Sequence, residues 1–222
     1  MMSRRALSVT VALAAAALAV PAAALAVVTT LTDPADPSAT PSCPGTAATP
    51  CTVVSRTTAL QEQVNDTRTP FKVAAAGRLV GWQITLSSPT PSQIRYFDTT
   101  EGGAPEAAIA LLRQEQGLDY RLDYESPLQP LQAYFGRTVT FALPRSVPVV
   151  RGDEIALTVP TWAPALELTA GSRSAWRASR SRSACGKVTV QTAQTLLGGT
   201  VEYYCIYRTA LVSFGAIEIT SP

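Results

Sequence analysis

GRLVGWQITLSSP, residues 77–89, places Val80, Trp82, Ile84 and Leu86 at alternate positions, with Gly81, Gln83 and Thr85 between them. A strand turns successive side chains to opposite faces, whereas a helix would scatter these apolar groups around its axis. Alternation sustained from Val80 to Leu86 therefore predicts a strand with one buried face. Trp82 falls on that face and reads as core.

The same period of two recurs in TVVSRT (52–57), SQIRYFD (92–98), AAIALLR (107–113), LDYRLDYE (118–125) and RTVTFAL (137–143). It recurs again in DEIALTVP (153–160), SAWRAS (174–179), KVTV (187–190), VEYYCIYR (201–208) and LVSFGAIEI (211–219). Gly, Pro, Asp and Ser separate these short runs, as in sandwiches and barrels. Pro105 to Gln116 has good helix formers, but Ile109, Leu111 and Arg113 alternate, which favours a strand. One buried and one wetter face per strand predicts an antiparallel two-sheet β-sandwich, jelly-roll-like, over residues 52–222.

Two turn readings follow. Arg151-Gly152-Asp153 spells an adhesion tripeptide, but it is wedged between Val149-Val150 and the alternation starting at Ile155. Gly152 there reads as the turn that starts a strand. Gly198-Gly199 reads as a hairpin turn between QTLL and VEYYC.

Residues 1–26 place Arg4 and Arg5 ahead of an apolar run, then Pro21 and Ala24-Leu25-Ala26. That order predicts a secretory signal peptide cut after Ala26; a cut after Ala24 fits the same pattern. If retained, Ala6 to Val28 is long enough to act as an anchor, although it is alanine-rich and lacks a positive stop-transfer flank. After cleavage no stable membrane span is expected, and the chain should be extracellular, either free or at the cell surface. Residues 27–51 are rich in Thr, Ser, Pro and Ala and read as a leader or linker.

The formal charge of +2 resides in Arg4 and Arg5, so the remainder is balanced and carries no global field for nucleic acid. Histidine is absent, which removes the usual general base and the commonest metal ligand. Four cysteines in an exported chain imply two disulfides, with Cys43–Cys51 and Cys185–Cys205 the simplest of three connectivities. A zinc site is the rival, but neither pair has C-x2-C spacing.

The turn and strand GDEIALTVP, preceded by RTVTFALP, resembles secreted jelly-roll modules of the carbohydrate-binding type. The longer combination of GDEIALTVPTWAPAL, SAWRASR and the tyrosine-rich cysteine strand is similar to uncharacterised exported actinobacterial proteins. The resemblance covers roughly Phe71 to Ile219. The carbohydrate-binding class implies aromatic sugar contacts and often a structural calcium, without fixing either to particular residues, and the actinobacterial group brings no function with it.

Sugar rings stack on Trp and Tyr faces. Trp162, between Pro160 and Pro164, and Trp176, in SRSAWRASRSR, are the candidate stacking residues, each with a core tryptophan as the plainer alternative. Arg173, Arg177, Arg180 and Arg182 are the candidate anion contacts; the plainer reading is a solvated loop whose charges meet carboxylates. Asp119, Asp123 and Glu125 offer the carboxylates that a glycosidase would need. DTTEGG, from Asp98, offers oxygens for calcium without recognised ligand spacing. The reading that follows is a secreted, non-catalytic β-sandwich that binds polysaccharide or cell-envelope polymer. A carboxylate-dependent glycoside hydrolase or lyase, and an adhesion or assembly module, stand as alternatives.

Overall fold

The structure is a computed structural model that describes residues 27–32, 41–43, 51–187 and 191–220. The expected signal peptide lies outside the described residues, as does most of the run KVTV. In chain order the elements are β1 (Val27–Thr32), β2 (Val54–Val64), β3 (Thr67–Arg68), β4 (Gly77–Thr85) and α1 (Pro91–Thr100). Then follow β5 (Glu106–Gln116), β6 (Asp119–Glu125), β7 (Gln129–Pro130), β8 (Thr138–Val149) and β9 (Glu154–Ala163). Last come β10 (Leu166–Ala178), β11 (Thr200–Glu202), β12 (Cys205–Val212) and β13 (Phe214–Thr220).

These strands form two antiparallel sheets, the expected sandwich. The smaller runs β1-β13-β4-β8; the larger runs β11-β6-β5-β9-β2-β10-β12, with β3 on β2 and β7 on β5. Between them Leu79, Trp82, Ile84 and Phe214 meet Ile109, Ile155, Leu157 and Val159 in one buried cluster. Each such side chain taken fully from water contributes about 1.5–3 kcal/mol before chain entropy is counted. Phe71 stacks on Phe214 at 4.5 Å between ring centres, and Trp82 meets Phe141 across β4 and β8 at 4.7 Å.

Five local expectations need correction. In β4 the pairing slips between Leu79, opposite Glu218, and Gly81, opposite Ile217, so Val80 is an extra residue in a bulge. Leu79 therefore faces the core and Val80 is only half-buried. SQIRYFD is helical rather than extended. Thr90 caps α1: its hydroxyl accepts from the Gln93 N–H, the Gln93 side chain accepts from the Thr90 N–H, and Pro91 opens the first turn.

Third, β5 and β9 are buried on both faces. Ala110, Leu112 and Ala156 pack with Leu60, Tyr120, Leu122 and Tyr203 in a second cluster on the far side of the larger sheet. Fourth, Leu196 and Leu197 are exposed and precede a turn at Gly198, so QTLL is not a hairpin strand. Fifth, residues 27–32 of the expected leader pair with β13 as strand β1.

Both disulfides form as the spacing indicates, Cys43–Cys51 and Cys185–Cys205, and all four thiols are thereby committed. No described helix is long and apolar enough to cross a membrane.

Candidate functional site

Along β10, Trp176 and Ala178 share one face while Arg177 takes the other, and just beyond the strand the Arg180 N–H turns back to the Ala178 carbonyl at 2.7 Å. That alternation divides the arginines. Arg177 reaches Glu62 at 2.7 Å and donates to the Tyr203 and Tyr204 carbonyls. Arg173 pairs with Asp66 at 2.8 Å, both exposed, and Arg182 lies over the Tyr204 ring. Of the expected ligand-binding residues, only Trp176 and Arg180 are brought together.

They line a groove of about 550 Å³ with Ser55, Leu168, Tyr207 and Arg208. Its size falls within the range of small-ligand sites. Tyr207, opposite Trp176 in the β10–β12 register, stacks on it at 4.5 Å with the planes 20° apart. Trp176 is 4% exposed and Tyr207 half-buried, so Tyr207 is the more accessible ring. A second groove, about 510 Å³, lies beside α1 and shares Thr52, Val53, Ser55 and Glu101 with the first.

The walls are held in place by bulges. Pairing of β2 with β9 slips between Ser55 and Thr57, and Arg56 between them has φ 43°. A non-glycine residue in that left-handed region is strained by about 1 kcal/mol or more. The bulged Arg56 reaches Glu101 at the end of α1, Nε to Oε2 at 3.1 Å. On the opposite wall the register slips twice between β10 and β12, and Thr209, beside Arg208, has φ 62°.

Arg180 is 8% exposed and donates to the Tyr207 hydroxyl at 2.6 Å and to the Ser55 carbonyl at 3.0 Å. The Tyr204 N–H donates to the Arg180 carbonyl, and Cys185–Cys205 ties the following loop to the start of β12. Burial lowers the pKa of the guanidinium, with Tyr207 acting in the opposite direction. Arg180 Nε and Trp176 Nε1 are both buried with no hydrogen-bond partner among the described residues. Buried N–H groups are nearly always paired, so two unpaired donors at one groove need an explanation.

Trp162 corrects the expectation of a displayed ring. It is 0% exposed, packs on Phe97 of α1 and on Phe135, and donates through Nε1 to Asp98 Oδ1 and the Gly103 carbonyl, each at 3.0 Å. The oxygens of DTTEGG are engaged accordingly, Asp98 by Trp162 and Glu101 by Arg56. No group of three or more ligating His, Cys, Asp or Glu side chains occurs among the described residues.

Asp123 is held by Arg121 at 2.7 Å and Arg113 at 3.3 Å. Glu125 is half-buried, and its pKa is raised by that burial against a hydrogen bond from Thr158. Neither they nor Asp119 line the two grooves, where Glu101 is the lone carboxylate among the described residues. Gly152 makes its turn at φ 95°, and Asp153, 2% exposed, pairs with Arg113 and accepts from the Val150 N–H. An adhesion receptor would have no access to that carboxylate.

Ser55, Tyr207 and Arg208 escaped the sequence reading. The four-residue spacing of Trp176 and Arg180 was its one available signal, since strand partners carry no mark in linear sequence. Fold and groove together define a disulfide-bonded two-sheet sandwich with an aromatic groove over unpaired donors. Comparison of the chain with protein-family models, with curated proteins and with solved structures gave no match.

Proposed function

We propose that this chain is an exported, non-catalytic β-sandwich that binds glycan or cell-envelope polymer through the groove lined by β10, β12 and residues 52–55. The resemblance to secreted carbohydrate-binding jelly-roll modules points the same way. The observation that carries the reading is the Trp176–Tyr207 stack at a groove with unpaired donors. Carbohydrate binding needs this combination: an apolar ring face for the C–H patches of a sugar and fixed polar groups for its oxygens. A two-carboxylate hydrolase would need a partner for Glu101 across the groove, and none lines it.

The test is retention of the purified exported protein on insoluble cellulose, chitin and peptidoglycan. Retention is expected on at least one, weakened about fivefold by Tyr207→Ala, the loss of one aromatic contact. Absence of retention on all three overturns the reading.

A further inference from the structure

We infer that the groove takes an acidic sugar, with the carboxylate seated against Arg180 and Trp176 and the ring against Tyr207. This deepens the glycan reading and rests on it.

The argument begins with charge. Arg180 lies in the groove wall, and neither of its two acceptors, a hydroxyl and a carbonyl, carries a negative charge. No carboxylate stands within ion-pair distance of it among the described residues. Glu101, the one acidic side chain in the groove, is engaged by Arg56 at 3.1 Å. A buried cation without a counter-ion is costly to the free protein. A ligand that brings the missing anion removes that cost on binding and gains affinity from it.

The donors narrow the chemistry. Arg180 Nε and Trp176 Nε1 are N–H groups that can only donate, and both lack acceptors. A set of donors beside a buried guanidinium, with the exposed Arg208 on the same groove, matches a carboxylate, which only accepts and accepts at two oxygens. Phosphate is the rival anion, and what it lacks is a ring for the apolar surface beside the donors. Tyr207, Leu168 and Ile206 supply apolar surface for the ring that bears the carboxylate.

The probes are trigalacturonate, its fully methyl-esterified form and inorganic phosphate, titrated at pH 7 into the exported protein and followed by calorimetry. The first two share rings and hydroxyls and differ at the carboxyl groups, which the ester caps with methyl and leaves uncharged. Trigalacturonate should bind at least tenfold more tightly than the ester. Arg180→Met should lower that affinity about 30-fold and Trp176→Phe about fivefold. Arg180→Met should also melt within a few degrees of the parent, since it removes an uncompensated buried charge. Should that variant misfold, the acid-to-ester ratio on the parent and Trp176→Phe still decide.

Equal binding of acid and ester overturns this inference and leaves the glycan reading standing. Phosphate binding with neither saccharide bound overturns the acidic-sugar inference, and overturns both when retention on polysaccharide is also absent. So does silence from all three probes when retention on polysaccharide is also absent; silence with retention intact overturns the acidic-sugar inference alone.

Discussion

Trp162 and Trp176 are almost equally hidden, at 0% and 4% exposure, yet their surroundings treat the indole N–H in opposite ways. Beneath α1, Trp162 Nε1 has both a carboxylate and a carbonyl to donate to. On β10, Trp176 Nε1 has neither among the described residues, and the Arg180 guanidinium also has an N–H unpaired among them. Burial alone would class both residues as core. Hydrogen-bond satisfaction separates them, because a fold loses nothing by completing its own contacts and a binding surface must leave some open.

The contrast breaks most forcefully at Trp162. Trp162→Ala should destabilise by about 3–5 kcal/mol, read as a lower urea midpoint, because it opens a large cavity and strands Asp98 and the Gly103 carbonyl. Opening the other side by Cys185→Ser with Cys205→Ser should cost about 3 kcal/mol, the chain-entropy value for a loop of 20 residues. Ligand affinity at the groove should fall with it, since that disulfide positions the loop after Arg180.

Charge provides a third probe. Glu154, 1% exposed, has its carboxyl pushed up to about 7 by burial, against the opposing pull of Lys72 at 3.2 Å, with Glu62 adding to the rise. Between pH 4.5 and about 7 the folded carboxyl keeps a proton that the unfolded chain has lost. Stability should therefore fall as pH rises through that window and level off above it. The expected change is on the order of 3 kcal/mol between pH 4.5 and 8. Glu154→Gln should flatten this part of a pH series of urea melts; an unchanged slope would assign it to other groups.

The smallest effect sharpens the comparison most. Trp176→Phe removes a donor that has no partner and should cost about 1 kcal/mol or less, whereas Trp162→Phe strands two acceptors and should cost about 3 kcal/mol. Equal costs would mean the two indoles are held alike.

Local chemistry made much of this fold readable. Period-two alternation located most strands, cysteine spacing gave both disulfides, and Gly152 marked its turn. The failures have particular causes. Ile94 and Tyr96 alternate as a strand would, but Thr90 through Gln93 form a capping box that decides for a helix. Val80 lost its core position to a bulge that depends on β13, which is distant in sequence. The prolines around Trp162 indicated display, yet α1 folds over the ring and buries it. The arginines read as one patch because linear sequence conceals which strand face each occupies.

Strand β1 bears on the order of events during folding. Val27 pairs with Thr220 across a sequence separation of 193 residues, so one edge of the smaller sheet joins the two extremes of the described chain. Pairings at that range carry a large loop-closure cost and form late. The smaller sheet cannot close until its last strand is available to pair. A chain arrested near residue 213 would have every strand of the larger sheet but no β13, leaving β1 without a partner and the inner face of the sandwich open.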